Sequence, residues 1–375
     1  MSRPRSSGEE VSDAAPAPLA ERLRERIRRD GPLSFREWMR AALYDEREGY
    51  YRRSGAARWG REGDYRTSPE RSALFSATFA RYFASLYEEL GRPRGFTVVE
   101  AGGGAGHFAR GVLATLERDA PEVFSKVHYI YDETSEDARQ SAARLLAPFA
   151  GRVEFRAAAE GEAAVVFSNE LLDALPVHRV RISGGLLREL FVGTDGAGQF
   201  CWVESEPSTP RLGEHFARER VTLAEGQEAE VNLDAEDWMH RAARLAGRGF
   251  VVTVDYGAEA AELYGAPERP RGTLRGFSGH ALVENVLGDP GRHDLTTTVD
   301  WTQIRAAGER AGMRTVLLER QDSFLLRAGL LEQLERESAL AASHAEVARL
   351  RLDAREMILP GGMASHFQVL VQSKV

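Results

Sequence analysis

The sequence predicts an α/β protein: a doubly wound, Rossmann-like sheet with an N-terminal helical region and an inserted β-hairpin and helix. Three observations carry this reading. From about residue 95, short apolar runs alternate with helical stretches, as in FTVVEA (96–101) and HFARGVLATLERDA (107–120), then VHYIYDE (127–133) and SEDARQSAARLLAPF (135–149). Such runs, with helices between them, indicate parallel strands covered on both faces. The first run ends in VVEAGGGAGHF (98–108), and the fourth, AAVVFSNE (163–170), opens into SNELLDALPV (168–177).

In chain order, residues 1–18 are polar and rich in Ser, Pro and Ala, so a disordered tail is expected. In LAERLRERIRRD (19–30), Leu19, Leu23 and Ile27 recur every fourth residue, which predicts an amphipathic helix. That helix stops at Asp30-Gly31-Pro32, and Ser34 caps a second helix, FREWMRAALYD. A further helix is expected within 64–90, introduced by Ser68-Pro69 and running through ALFSATFARYFASLYEEL. Residues 91–375 then hold the sheet, with RVEFRAA (152–158) as a third strand and VVTVDYG (251–257) as a fifth. Between the fourth and fifth strands, about 183–250, LRELFVGTDGAGQFCWVESE reads as a hairpin around Asp195-Gly196, followed by the helix DAEDWMHRAARLAG. This insertion is expected to lie over the carboxyl ends of the sheet as a lid or substrate platform. The C-terminal part is helical over 330–358 and closes with the strand SHFQVLVQSKV.

Composition narrows the function. A chain of 375 residues with 43% hydrophobic content can bury a full core. The net charge of −8 argues against a nucleic-acid partner. The single cysteine, Cys201, has no partner for a disulfide or a CxxC metal site, and no metal is expected. No apolar stretch is long enough to span a bilayer and no hydrophobic signal core is visible, so the expected setting is the cytoplasm, without membrane association. A homodimer is compatible with the sequence, which does not set the oligomeric state.

Glycine destabilises helices and strands alike, so a run of glycines needs a reason. In the first strand-to-helix turn of a doubly wound sheet, the expected reason is a nucleotide-like ligand close to the backbone at a helix N-terminus, with a tight turn that holds no ligand as the alternative. Two ligand classes compete. Gly104-Ala105-Gly106-His107-Phe108-Ala109 satisfies the dinucleotide pattern, but the acids that close the second strand, Asp132 and Glu133, fall nearly thirty residues past Gly104 rather than about twenty. S-adenosylmethionine enzymes show an acid followed by G-x-G-x-G at this turn, which Glu100, Gly102, Gly104 and Gly106 match. At the end of the fourth strand, Asn169, Glu170 and Asp173 lie within five residues at the cleft mouth, where desolvated polar groups need partners. Helix capping by Asn169 with a solvated first turn is the alternative.

With these residues in view, the chain resembles the family of S-adenosylmethionine-dependent methyltransferases that includes the mitochondrial arginine methyltransferase acting in assembly of respiratory complex I. The resemblance runs from about 20 to 375. It rests on GPLSFREWMRAALYDEREGYY (31–51), GDYRTSPE (63–70), EAGGGAG (100–106), SNELLDALPVHR (168–179), VDYG (254–257), GTLRGF (272–277), HDLTTTVDW (293–301) and LPGGMASHFQVL (359–370).

The resemblance implies S-adenosyl-L-methionine as cofactor, with Glu100, Gly102 and Gly104 at its methionine end. It implies Glu133 as the ribose acid, or Asp132 if the strand is out by one. Asn169, Glu170 and Asp173 would face the transferred methyl, the last two as catalytic carboxylates. Asp64, Thr67, Ser68 and Arg275 would border the same cleft. Thr298 and Ala364 stand where the family commonly has His and Gly, and YDE replaces an apolar pair before the ribose acid. Methyl transfer from a sulfonium needs no metal, only alignment of the acceptor. For a guanidinium acceptor, Glu170 and Asp173 could hold the fork bidentately, provided the segment is helical so that positions i and i+3 share a face. An oxygen or nitrogen acceptor on a small molecule, with one carboxylate as base, and a non-catalytic assembly factor are the competing readings.

Overall fold

The computed structural model describes residues 18–53, 72–266, 269–279, 281–359 and 366–375. The expected tail, the Ser68-Pro69 helix start, Asp64, Thr67 and Ala364 therefore lie outside the described residues, apart from Pro18 at the tail's end.

The N-terminal helices Leu19–Asp30 and Phe35–Tyr44 flank a two-residue strand, β1 (Leu33–Ser34). Ser34 closes a capping box with Glu37, the reciprocal pairing that satisfies two orphan donors at a helix start. Helix Ala73–Glu89 is capped by Ser72, whose side chain accepts from the Leu74 amide. The strands β2 (Phe96–Ala101), β3 (Val127–Asp132), β4 (Val153–Glu154) and β5 (Val165–Asn169) follow, with helices His107–Asp119, Pro121–Lys126 and Glu136–Leu145 among them. After β5 come β6 (His178–Ser183), β7 (Leu186–Thr194), β8 (Phe200–Ser205), β9 (Glu228–Val231) and helix Leu233–Ala246. The chain continues through β10 (Phe250–Ala258), β11 (Arg275–Ser278), β12 (Ala281–Leu282), β13 (Asp294–Thr296) and β14 (Val299–Asp300). Helix Trp301–Arg310, β15 (Arg314–Arg320), three helices over 321–358 and β16 (Phe367–Ser373) complete it.

The central sheet has the order β15-β16-β10-β5-β2-β3-β4, with β14 extending β10. The β10-β5, β5-β2, β2-β3 and β3-β4 pairs are parallel, while β16 runs antiparallel to both neighbours. Strand alternation divides the apolar runs between two cores. Val98, Phe167, Val252 and Val254 pack on helices Ala73–Glu89 and His107–Asp119, whereas Val99, Val166, Val251 and Leu370 pack on helices Leu233–Ala246 and Trp301–Arg310. Crossover helices change face between β2 and β5. That reversal opens a crevice at the carboxyl ends of these two strands, the usual ligand position in open α/β sheets.

Two expectations are corrected. The hairpin β7-β8 forms as predicted around Asp195-Gly196, but it belongs to a second sheet, β1-β7-β6-β9, in which Leu33 of the N-terminal segment pairs with Val192. Helix Leu233–Ala246 is no lid, because Ala235, Met239, Ala242 and Ala243 are buried against the central sheet. Its 3.6-residue periodicity announces an apolar face without saying what covers it. Strand β15 escaped the sequence reading, since its burial alternates only weakly at the sheet edge.

Candidate active site

Strand β2 delivers Glu100 to the crevice almost fully buried, at 3% exposure. The Tyr129 hydroxyl on β3 donates to Glu100 Oε2 at 2.7 Å. Burial, opposed by that bond, raises the Glu100 carboxyl to about 8, so at neutral pH it largely keeps its proton.

The turn that follows explains its glycines. Gly102 takes φ +69°, and a Cβ there would sit 2.9 Å from Leu171 Cδ1. A Cβ on Gly103 would lie 2.5 Å from the Tyr131 ring, whose hydroxyl donates to the Gly104 carbonyl at 2.8 Å. Tyr131 is part of the YDE departure, and it packs under the glycine turn as a brace. Gly104 (φ +60°) donates its amide to Glu133 Oε2 at 3.0 Å, while the Ser135 amide donates to Glu133 Oε1 at 2.7 Å. Glu133 is thereby fixed across the turn, with burial raising its carboxyl above the ordinary value. Asp132 pairs instead with Arg241 at 3.0 Å.

At the end of β5, the Asn169 amide donates to Glu170 Oε1 at 3.0 Å, and Asn169 Oδ1 is buried without a partner among the described residues. Glu170 sits at φ +51°, a left-handed conformation that a non-glycine residue adopts only when its surroundings enforce it. The structure separates Glu170 from Asp173. Residues 170–177 form turns rather than a helix, so the shared face on which their pairing depended does not form. Glu170 lines the crevice; Asp173 does not. Asp173 is 6% exposed, accepts from the Tyr256 hydroxyl at 2.7 Å, and is pushed up to about 6 by burial. Arg275, expected at the cleft, lies over the Tyr256 ring at 5.2 Å from its centroid, in this same buried group and off the crevice wall. Asp255, fully buried, accepts the Leu172 and Asp173 amides at 2.9 and 3.3 Å, and burial followed by repulsion from Asp173 drives its carboxyl well up. Ser68 lies outside the described residues.

The crevice holds one cavity of about 270 Å³ at the carboxyl ends of β2, β3 and β5. Glu100, Gly102, Gly104, Glu133, Asn169 and Glu170 all line it. Sequence reading assigned no role to Tyr44, Tyr51, Arg52, Trp238 and Arg241, which line it too. Tyr44, Tyr51 and Arg52 fall within or directly after the 31–51 motif, a signal left without a role. Trp238 and Arg241 escape because nothing local says which way a core helix turns its remaining face. Left-handed glycines baring backbone, a buried Ser135 Oγ and Asn169 Oδ1 without partners among the described residues, and a wall of carboxylates together fit a cationic nucleoside.

Known proteins share the fold and the cofactor class. The family model for S-adenosyl-L-methionine-dependent methyltransferases matches residues 78–318. A Burkholderia thailandensis protein solved with S-adenosyl-homocysteine bound is 29% identical, has a TM-score of 0.85, and covers 95% of this chain and 92% of its own. Among curated proteins, the Drosophila melanogaster protein arginine methyltransferase NDUFAF7 homolog, mitochondrial, is 29% identical over 78% of this chain and 70% of its own. Mouse protein arginine methyltransferase NDUFAF7, mitochondrial, is 27% identical over 87% of this chain and 77% of its own. The cytoplasmic expectation is corrected by these relatives, which are named as mitochondrial proteins. One unpaired cysteine and a missing apolar signal core do not distinguish the cytoplasm from other compartments that lack disulfides. With the family match spanning most of the chain, this protein belongs to the S-adenosyl-L-methionine-dependent methyltransferases, and S-adenosyl-L-methionine is its cofactor.

Proposed function

We propose that the protein methylates an arginine side chain of a protein substrate. The observation that carries this reading is Glu170: a carboxylate on the cavity wall at the end of β5, held in a left-handed conformation with Asn169 against it. The curated relatives named as protein arginine methyltransferases support it. So does the acidic wall, because a guanidinium is best desolvated beside carboxylates.

The cofactor supplies a methyl on a positively charged sulfur. In our reading, Glu133 accepts from the ribose hydroxyls, since its two oxygens retain lone pairs beyond the two backbone bonds they already take. Asp132 is engaged by Arg241 and is the weaker choice. Glu100, Gly102 and Gly104 border the methionine end, and a cofactor ammonium beside Glu100 would favour loss of the Glu100 proton. Asn169 presents its Oδ1, unpartnered among the described residues, at the boundary between cofactor and acceptor. Glu170 accepts an N–H from the acceptor guanidinium, fixes its plane, and aims one nitrogen at the methyl carbon. That nitrogen would form the new bond to the methyl carbon as the carbon–sulfur bonding pair stays on sulfur, and the proton the nitrogen sheds would pass to the Glu170 carboxylate. Preorganised positioning of this kind supplies about 7–11 kcal/mol. Asp173 and Arg275 act through Tyr256 to hold this edge, as positioning residues behind it.

The test is methyl transfer from labelled S-adenosylmethionine into a lysate, with the labelled product digested to amino acids. Label in a methylated arginine supports the reading; label confined to small molecules, or to another side chain, overturns it.

A further inference from the structure

Arg52 follows Tyr50 and Tyr51 at the end of the N-terminal segment and lines the cofactor cavity. Four carboxylates share that wall: Glu100, Asp132, Glu133 and Glu170. Their field suits the cationic sulfonium and ammonium of the cofactor but repels its α-carboxylate. Of the two arginines on the wall, Arg241 is held by Asp132 at 3.0 Å. Arg52 makes no ion pair among the described residues, and its Nε is buried there without an acceptor. A buried donor on a charged group calls for an acceptor, and on a cavity wall a ligand can supply one.

Position agrees with charge. The Tyr44 hydroxyl donates to the Ala174 carbonyl at 3.0 Å, and the Tyr44 and Tyr51 rings lie 5.4 Å apart. The N-terminal segment therefore meets the cavity on the β5 side. Glu133, the ribose acid of our reading, follows β3 on the other side of β2. Arg52 thus enters at the end left for the amino-acid portion.

We propose that Arg52 is the guanidinium clamp for the α-carboxylate of S-adenosylmethionine, so that the N-terminal segment completes the cofactor site. The planar fork of arginine matches a carboxylate bidentately. This inference rests on the placement of the cofactor in the cavity, and the following experiment separates the two. Calorimetry is run on the full-length protein with S-adenosyl-homocysteine and with 5′-methylthioadenosine, which keeps the adenosine and thioether but lacks the amino acid. Arg52→Ala is expected to weaken S-adenosyl-homocysteine by about tenfold to hundredfold, the loss of a charge-assisted bond, and to leave methylthioadenosine unchanged. Arg52→Lys is expected to fall between, keeping charge but losing the fork, and it carries the same comparison if Arg52→Ala does not fold. Equal losses for both ligands, or no loss for S-adenosyl-homocysteine, overturn the clamp. Failure of the wild-type protein to bind either ligand overturns the cavity placement and the clamp with it.

Discussion

The two sides of the cavity are built by opposite means. On the β2-β3 side the polar groups bind each other at short range: Glu133 ties Gly104 to Ser135, Tyr131 holds the Gly104 carbonyl, and Tyr129 holds Glu100. On the β5 side, Asn169 Oδ1 has no partner among the described residues, Glu170 is held in a left-handed backbone, and Asp173 is buried behind with Tyr256. The first side is a braced cradle, in which Ser135 Oγ is the buried group left without a partner among the described residues. The second holds strain and an unmet hydrogen-bond acceptor, as functional edges do. In the proposed reading, recognition of the constant cofactor and handling of the acceptor are thereby separated across one crevice.

The sharpest way to break this contrast is at the cradle. Gly102→Val places a β-branched side chain at φ +69°, 2.9 Å from Leu171 Cδ1, and is expected to abolish S-adenosyl-homocysteine binding, a loss of about 3 kcal/mol or more. Retained far-UV circular dichroism with normal affinity would show that the turn is structural only. Next in size, Glu170→Gln is expected to lower turnover about hundredfold, a loss of roughly 2.7 kcal/mol of transition-state stabilisation. Glu170→Gly should also abolish turnover yet raise the melting temperature, through relief of about 1 kcal/mol of backbone strain. If Glu170→Gly melts lower than wild type, the strain is not there to be relieved. Asp173→Asn keeps an acceptor for the Tyr256 hydroxyl, so turnover should fall only severalfold with cofactor affinity intact. A collapse as deep as that of Glu170→Gln would return Asp173 to the acceptor itself.

The smallest effect is on stability against pH. Because burial pushes the Glu100 carboxyl up to about 8 in the folded protein, above its ordinary value of 4.5, folding favours its protonated form. Its contribution is complete below about 4.5 and is lost as pH rises through about 8. The melting temperature of the ligand-free protein should therefore fall by several degrees over that window, and Glu100→Gln should flatten the slope. Parallel slopes in both proteins would remove Glu100 as the cause.

Much of the cradle was legible in the sequence because its parts are nearly contiguous. An apolar run ending in Glu100, the glycines after it and the acid closing the next run are local patterns, and each fixes a backbone position. The same locality made the sheet readable, since runs such as FTVVEA and VVTVDYG have no outcome except burial on both faces. The acceptor edge was only half legible. SNELLDAL shows two acids and an amide together, but whether Glu170 and Asp173 share a face depends on backbone angles; the segment is not helical, and Glu170 lines the cavity while Asp173 does not. Tyr131 looked like a departure from the family pattern and is a brace that only the packed turn reveals. Helix Leu233–Ala246 looked like a lid because amphipathicity does not name the partner surface.

The separation of the two sides is tested most directly by calorimetric affinity for S-adenosyl-homocysteine in wild type, Glu133→Ala and Glu170→Gln. Loss of hydrogen bonds from a charged ribose acceptor predicts that Glu133→Ala weakens binding by about 1.5–3 kcal/mol. Glu170→Gln should bind as wild type does. Equal weakening in both variants would contradict the account, because cofactor and acceptor would then share one undivided site.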